Sequence, residues 1–173
     1  MRNGNPLRYL AIGALAWLSQ PAVAEPALVG WIEPVKLSRE GVVVPAKLDT
    51  GADTSSLHAS NITWIRRQDG DWVAFDVEGK DNRSVRLERK VQRVTRVKKA
   101  AGGVQDRPVV LLGVCLGNTY RVTEVNLTDR TGFKLPFLVG RNFLAERFAV
   151  DSSRRETSEP ACTMTVAGSS ISG

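Results

Sequence analysis

The fold is decided by the stretch Val44-Pro45-Ala46-Lys47-Leu48-Asp49-Thr50-Gly51. Its apolar residues alternate with Pro45 and Lys47, which predicts a β-strand with one buried face. This strand carries the carboxylate of Asp49 directly into a turn, where glycine allows close backbone approach and positive φ. The hydroxyl of Thr50 can bond to a neighbouring backbone group. The stretch predicts a rigidly held carboxylate, although aspartate and glycine are also common in ordinary turns.

The segments around this stretch also predict strands. Residues 28–37 and 42–48 are rich in valine, isoleucine and leucine, and the polar turn between them predicts a hairpin. Further strands are predicted at residues 72–77, 84–97, 109–116, 120–127 and 135–139, followed by one or two helical turns at residues 141–147. Many short strands with one short helix indicate an all-β barrel or sandwich.

A second segment strengthens the interpretation of Asp49 as a site residue. It reads Leu135-Pro136-Phe137-Leu138-Val139-Gly140-Arg141-Asn142-Phe143-Leu144, an apolar strand that ends in Gly-Arg-Asn and a short helix. Together with Leu-Asp-Thr-Gly-Ala-Asp, it resembles the two signature segments of retroviral-type aspartic proteases, the retropepsins. The chain is most similar to a bacterial branch labelled as ATP-dependent zinc proteases. The resemblance covers residues 28–151 and implies a retropepsin-like closed β-barrel with one short C-terminal helix.

The resemblance also implies roles for individual residues. Asp49 matches the catalytic aspartate, Thr50 matches a threonine that locks two active-site loops together, and Gly51 matches a glycine beside the substrate backbone. Supporting roles are implied for Ala52, Asp53, Arg141, Gly102 and Gly103. Asp53 and Arg141 match a charged pair that braces the active-site turn. The two glycines lie near the predicted tip, at residues 99–106, of a flap hairpin and suit a mobile tip.

Catalysis by aspartate requires a second carboxylate, because an aspartic protease uses two carboxyl groups that share one proton. The chain has one Asp-Thr-Gly, so the second Asp49 must come from another copy across a two-fold axis. The predicted function is an exported, homodimeric aspartic endopeptidase that acts on a peptide or protein substrate. The alternative is a catalytically silent module of the same fold, which binds a peptide or a protein partner.

The first 24 residues predict a cleavable secretory signal peptide. Arg2 and Arg8 form a basic region, residues 9–18 are apolar, and Ala22-Val23-Ala24 is a small-x-small cleavage site. A buried N-terminal helix is the less favoured alternative. We therefore expect a periplasmic protein.

The chain after Asp151 is rich in serine, threonine and glycine and has few apolar residues. This composition predicts a flexible tail at residues 152–173. The protease domain is accordingly predicted at residues 25–151.

The formal net charge is +6, and much of it is local. From Arg83 to Lys99 the chain carries eight basic residues and one acidic residue. Such a segment is either a solvated strand face or a docking surface for an acidic substrate, an acidic partner or an anionic membrane. We expect no nucleic-acid partner for an exported protein.

The cysteine and histidine counts exclude several kinds of site. Cys115 and Cys162 are too few for a four-cysteine zinc site. An oxidising compartment would permit a bridge between them, but a buried free thiol at the first position is equally ordinary, so their pairing stays open. His58 is the only histidine, which excludes motifs that need two. There is no Walker-type loop for ATP. We expect neither a metal nor a cofactor.

Overall fold

The computed structural model describes residues 25–37, 41–98 and 102–162, so the predicted signal peptide lies outside the described residues. Nearly all of the described chain is extended. The strands are β1 (Ala27–Leu37), β2 (Val42–Leu48), β3 (Ser55–His58), β4 (Ser60–Arg67), β5 (Gly70–Glu78), β6 (Ser84–Lys98), β7 (Val104–Leu116), β8 (Thr119–Thr128), β9 (Phe137–Val139) and β10 (Phe148–Arg155). One helical turn, α1 (Arg141–Leu144), follows β9. No helix in the described part of the chain is long and apolar enough to cross a membrane.

The strands form one sheet in the order β10-β1-β2-β9-β3-β8-β7-β6-β5-β4. An additional pairing of β1 with β7 closes six of them, β1, β2, β9, β3, β8 and β7, into a ring. The prediction of an all-β, retropepsin-like fold with a short helix is confirmed. The ring differs from a fully closed barrel because β1 pairs with β7 at only two positions, Lys36↔Cys115 and Leu37↔Val114. The first half of β1 pairs with β10 instead.

The strands that the sequence predicts are present, and three others are not predicted. β2 alternates as expected, since Val42, Val44, Ala46 and Leu48 are buried and the residues between them are not. The additional strands are β3, β4 and β10. β4 carries no buried residue, so its sequence lacks the alternation that marks a half-buried strand. It is held mainly by antiparallel pairing with β5.

The hydrophobic core joins residues of the ring strands to residues of β5 and β6. Val35 and Val44 from the first hairpin are fully buried and belong to the same cluster as Phe75, Phe137 and Phe143. The last two flank the Gly-Arg-Asn segment. This segment is therefore anchored by apolar side chains on both sides.

The first part of the predicted flexible tail is ordered. β10 extends to Arg155 and pairs in parallel with β1. Beyond it, Cys162 forms a disulfide with Cys115 of β7, which resolves the pairing that the sequence left open. The prediction of a tail from residue 152 is thus wrong up to residue 162, because these residues are held by a strand pairing, a disulfide and a buried acid. Residues 163–173 lie outside the described part.

The buried acid is Glu33, whose side chain is fully inaccessible in β1. It accepts hydrogen bonds from the backbone N–H of Gly30 (2.6 Å) and from the N–H and hydroxyl groups of Thr157 and Ser158 (2.6–3.0 Å). Burial alone would raise the pKa of Glu33, but these hydrogen bonds outweigh it and lower the pKa. The ionised carboxylate is therefore the form that binds the C-terminal segment.

Replacing this carboxylate should weaken the fold in a pH-dependent way. Glu33 has a folded-state pKa below its ordinary value of 4.5, so its contribution is complete above that value and is lost as the pH falls through the folded-state pKa. We expect Glu33→Gln to lower the free energy of unfolding by about 2–4 kcal/mol at neutral pH, because hydrogen bonds to a charged group are lost.

Urea unfolding at about pH 7 and about pH 3 tests this expectation, with the exposed Glu159→Gln as the matched control. The difference in the free energy of unfolding between wild type and Glu33→Gln should be smaller at the lower pH. An equal difference at both pH values would show that the charge of Glu33 does not stabilise the fold.

Candidate active site

The candidate site forms where two parallel strands end. β2 pairs in parallel with β9, with Leu48 opposite Val139. The backbone N–H of Asp49 continues this ladder by donating to the carbonyl oxygen of Val139 at 2.8 Å. The turn after β2 and the start of α1 after β9 consequently lie side by side, although they are far apart in sequence.

The carboxylate of Asp49 is partly accessible, with 24% of the side chain exposed. Its Oδ1 accepts a hydrogen bond from the backbone N–H of Gly51 at 3.0 Å, and its Oδ2 contacts the Nζ of Lys47 at 3.1 Å. Partial burial would raise the pKa of Asp49, but the hydrogen bonds from Lys47, Gly51 and Ala52 and the charge of Lys47 outweigh it and lower the pKa. In the single chain, the Asp49 carboxylate is therefore ionised and held in a fixed orientation.

Gly140 permits the contact between the two segments. A Cβ at this position would lie 2.8 Å from the carbonyl carbon of Thr54 and 2.9 Å from the backbone oxygen of Ala52. Both atoms belong to backbone, so neither can move aside cheaply. The glycine of Gly-Arg-Asn is thus required by the close approach of the active-site turn.

Arg141 joins α1 to the same turn. Its guanidinium contacts the carboxylate of Asp53, so the predicted ion pair is present, and its Nη1 donates to the backbone oxygen of Thr50 at 2.8 Å. The backbone N–H groups of Arg141 and Asn142 donate to the carbonyl oxygens of Ala52 (2.8 Å) and Asp53 (3.1 Å). The ion pair is exposed and therefore contributes little by itself. The backbone bonds carry most of the bracing.

Asn142 is a structural centre of the site that the sequence reasoning missed. Its Oδ1 accepts hydrogen bonds from the N–H (3.1 Å) and hydroxyl (2.9 Å) of Ser55. Its Nδ2 donates to the hydroxyl of Thr123 at 2.9 Å and to the backbone oxygen of Glu124 at 2.8 Å. One side chain thereby links α1 to β3 and β8. The only signal for it in the sequence is its place in Gly-Arg-Asn.

Thr50 and Gly51 are both exposed at the tip of the turn. The hydroxyl of Thr50 has no hydrogen-bond partner among the described residues, so its predicted role in locking two loops stays a prediction. Gly51 does not adopt positive φ, contrary to expectation. The turn orients its N–H toward Asp49, and an added Cβ would lie 3.3 Å from the Oδ1 of that carboxylate.

The predicted flap corresponds to the hairpin of β6 and β7, whose last residue pair is Lys98↔Val104. Gly102 and Gly103 have φ values of +89° and +86°, with nothing within 4 Å of an added Cβ. Both glycines thus occupy a turn that other residues would strain. Residues 99–101 lie outside the described part, and the flap role stays a prediction.

The basic segment is largely paired with acidic residues. Among its described residues, ion pairs join Arg83 to Asp81, Arg86 to Asp76, Lys90 to Asp69, Arg93 to Glu124 and Arg96 to Asp106. Two of these pairs, Arg86 with Asp76 and Arg96 with Asp106, join β6 to its neighbouring strands β5 and β7. This arrangement favours the interpretation of the basic segment as a solvated strand face. Docking of a partner on this segment stays a prediction.

Residues of the candidate site do not assemble into a metal centre. Among the described residues, no group of three or more histidine, cysteine, aspartate or glutamate side chains is placed to hold a metal ion. The side chain of His58 accepts a hydrogen bond from the backbone N–H of Arg130 at 2.8 Å. It therefore fixes the loop between β8 and β9.

Comparisons with known proteins agree with this geometry. The family model described as "Retropepsin-like aspartic endopeptidase RimB" matches residues 28–161. A crystal structure of a Legionella pneumophila protein of unknown function superposes with a TM-score of 0.65 at 36% sequence identity, covering 77% of this chain and 98% of that chain.

Longer proteins also contain a similar region. A Shewanella halifaxensis (strain HAW-EB4) protein described as a probable alpha-L-glutamate ligase is 30% identical over 145 residues, which are 82% of this chain. A Parasynechococcus marenigrum (strain WH8102) protein with the same description is 31% identical over 147 residues, which are 83% of this chain. The matched region spans only 28% of each of these two proteins.

The close approach at Gly140 predicts the effect of adding one methyl group. Gly140→Ala should destabilise the protein by about 1–3 kcal/mol, because the methyl group meets backbone atoms of the turn. Gly132→Ala is the matched control, since nothing lies within 4 Å of its added Cβ. Thermal unfolding of both variants measures the difference. Equal stability of the two variants would contradict the close packing of the turn against Gly140.

The ion pair between Lys47 and Asp49 predicts the direction of a pKa change. Lys47→Met removes the hydrogen bond and the positive charge that lower the pKa of Asp49, so Asp49 should titrate at higher pH in this variant. NMR titration of the carboxyl carbon measures the change. Lys80→Met, at an exposed lysine after β5, is the control and should leave the titration where it is in the wild type. An unchanged titration in Lys47→Met would show that the lysine does not set this pKa.

Proposed function

Because the chain belongs to the retropepsin-like aspartic endopeptidase family, we propose that it hydrolyses peptide bonds with Asp49 as its catalytic residue. The observation that carries this proposal is the position of the Asp49 carboxylate. It is partly accessible, it is oriented by the N–H of Gly51, and it lies at the junction of the two braced segments. A carboxylate in an ordinary turn does not need the network that Arg141 and Asn142 build around it.

We propose a homodimer in which each copy contributes one Asp49. The ionised carboxylate accepts a proton from water as the water oxygen attacks the peptide carbonyl carbon. The protonated carboxyl group of the other copy donates its proton to the carbonyl oxygen, which gives a tetrahedral diol. Proton transfer to the amide nitrogen then lets the carbon–nitrogen bond break, and the shared proton is restored to the pair.

The geometry of one copy supports the need for a second. The neighbouring carboxylate on the turn, Asp53, is engaged by Arg141 and is exposed, so it is poorly placed to share a buried proton with Asp49. The exposed hydroxyl of Thr50 is available for a contact with the equivalent turn of another copy. Two Asp49 carboxylates brought together would repel each other if both were ionised, so the pair must share one proton. Lys47 adds a positive charge that eases this approach.

We further propose that the protein works in the periplasm. The signal-peptide pattern at residues 1–24 supports export. The disulfide between Cys115 and Cys162 supports an oxidising compartment, since such bridges persist there and are rare in a reducing cytosol.

Glutamate-containing peptides are the substrate class that we favour. The two longer relatives are described as probable alpha-L-glutamate ligases, and they contain a region similar to most of this chain. A domain of this kind in one chain with a glutamate ligase is well placed to act on glutamate-containing peptides. Peptide bonds next to glutamate are accordingly the first ones to test.

The decisive experiment compares wild type with Asp49→Asn on a diverse peptide mixture. Residues 25–173 would be incubated at a concentration at which sedimentation shows a dimer, from about pH 4 to about pH 8. New peptide termini would be read by mass spectrometry. We expect cleavage by wild type and a loss of at least about 10³-fold in Asp49→Asn, with the dimer preserved.

Three outcomes would contradict the proposal. Equal turnover by both proteins would show that Asp49 is not the catalytic residue. No cleavage by a wild type that is demonstrably dimeric would instead favour the catalytically silent binding module. A protein that cleaves only as a monomer would refute the shared pair of carboxylates.

A further inference from the structure

The outer face of the β7–β8 hairpin carries an apolar patch. Side chains alternate along β7, and the residues of this stretch that belong to the core cluster are Val110, Leu112, Val114 and Leu116. Leu111, Gly113 and Cys115 therefore lie on the opposite, outer face. On β8, Val122 pairs with Gly113 and Tyr120 pairs with Cys115, so these two residues belong to the same face.

This patch forms the floor of a groove. Leu111, Tyr120 and Val122 are 41%, 40% and 56% exposed. They surround Gly113, which has no side chain, and with Trp72 they line a groove of about 380 Å³. Neighbouring exposed apolar side chains mark interaction sites, and glycine inside a strand often marks the close approach of another backbone. The groove therefore suits an extended apolar segment.

The C-terminal segment already covers the adjoining part of this face. Cys115 is fully buried although it lies on the outer face, and the disulfide holds Cys162 against it. The backbone N–H of Ala161 donates to the carbonyl oxygen of Gly117 at 2.8 Å, and the N–H of Cys162 donates to the Sγ of Cys115 at 3.2 Å. The chain thus runs along β7 from the turn of the hairpin toward Gly113 and the groove.

The residues that follow Cys162 have a composition that fits this groove. They read Thr163-Met164-Thr165-Val166-Ala167, with no charged side chain and with Met164 and Val166 two positions apart. This alternation is typical of an extended segment with one apolar face. An extended segment rises about 3.3 Å per residue, in step with the strand beneath it. Counted from the disulfide, Met164 reaches Gly113 and Val166 reaches Leu111.

We propose that residues 163–167 occupy this groove as a strap, with Met164 over Gly113 and Val166 over Leu111. This inference does not depend on the proposed peptidase activity. The disulfide fixes the start of the strap beside the groove, so docking is intramolecular and takes place at a high effective concentration. A few apolar contacts are then sufficient to keep the patch covered and out of water.

Methyl NMR of the full chain tests the strap directly. We expect nuclear Overhauser effects between the methyl groups of Met164 and Val122 and between those of Val166 and Leu111. A water-soluble gadolinium chelate should broaden the methyl signals of Val122 several-fold less than those of Val94. This valine on β6 is the reference, because its exposed fraction of 48% is close to the 56% of Val122 in the described residues.

Two double variants with the same added charge identify the face that docks. Met164→Asp with Val166→Asp should abolish the nuclear Overhauser effects and raise the broadening of Val122 to that of the reference valine, because an unpaired carboxylate is costly in an apolar groove. Thr163→Asp with Thr165→Asp adds the charges on the other side of the strap and should leave both readouts unchanged. Native circular dichroism of both variants is the check on folding.

Three results would overturn the inference. The first is a full chain without these nuclear Overhauser effects in which Val122 is broadened as strongly as the reference valine, which would leave the groove to a separate partner. The second is an equal effect of the two double variants. The third is contact of Val122 with a second copy, detected in a mixture of labelled and unlabelled chains. Peptidase activity enters none of these readouts, so the strap and the proposed function fail separately.

Discussion

The whole site depends on the parallel pairing of β2 with β9. This pairing lays the turn after Asp49 against the start of α1, and Gly140 lets the two backbones touch where a methyl group would collide with Ala52 and Thr54. Backbone hydrogen bonds from Arg141 and Asn142 then hold the turn in place. In the proposed mechanism the Asp49 carboxylate shares a proton with its symmetry mate and has to be positioned closely, so bracing by backbone suits this chemistry better than mobile side chains.

A second group of contacts fastens the end of the chain to the ring. Glu33 on β1 binds Thr157 and Ser158, and the disulfide joins Cys162 to β7 a few residues later. β1 is also the strand that pairs with β2, which ends at Asp49. The C-terminal segment therefore stabilises the strand next to the one that leads into Asp49, the proposed catalytic residue. A small ring that is closed by few residue pairs gains the most stability from such contacts.

Arginine side chains occupy two different environments in this molecule, one exposed and one buried. On β6, Arg86 and Arg96 pair with carboxylates of the neighbouring strands β5 and β7, and Arg93 pairs with Glu124 on β8. Exposed pairs of this kind contribute little to stability. Arg130 is buried and Arg107 is half-buried, and neither forms a salt bridge with a described residue.

The sequence by itself determined the strands with clear alternation and the position of Asp49 at a strand end, because these are local patterns with a period of two residues. It linked this turn to the Gly-Arg-Asn segment only through the resemblance to the retropepsin signature segments. It did not reveal β4, whose side chains are not buried, or the ordering of residues 152–162. Asn142 and Glu33 also needed the tertiary structure, since most of their hydrogen-bond partners lie between 18 and 125 residues away. The burial of Arg130 is likewise visible only in the folded chain. Only the folded chain decides which polar groups are buried, which are satisfied and which remain open for a ligand.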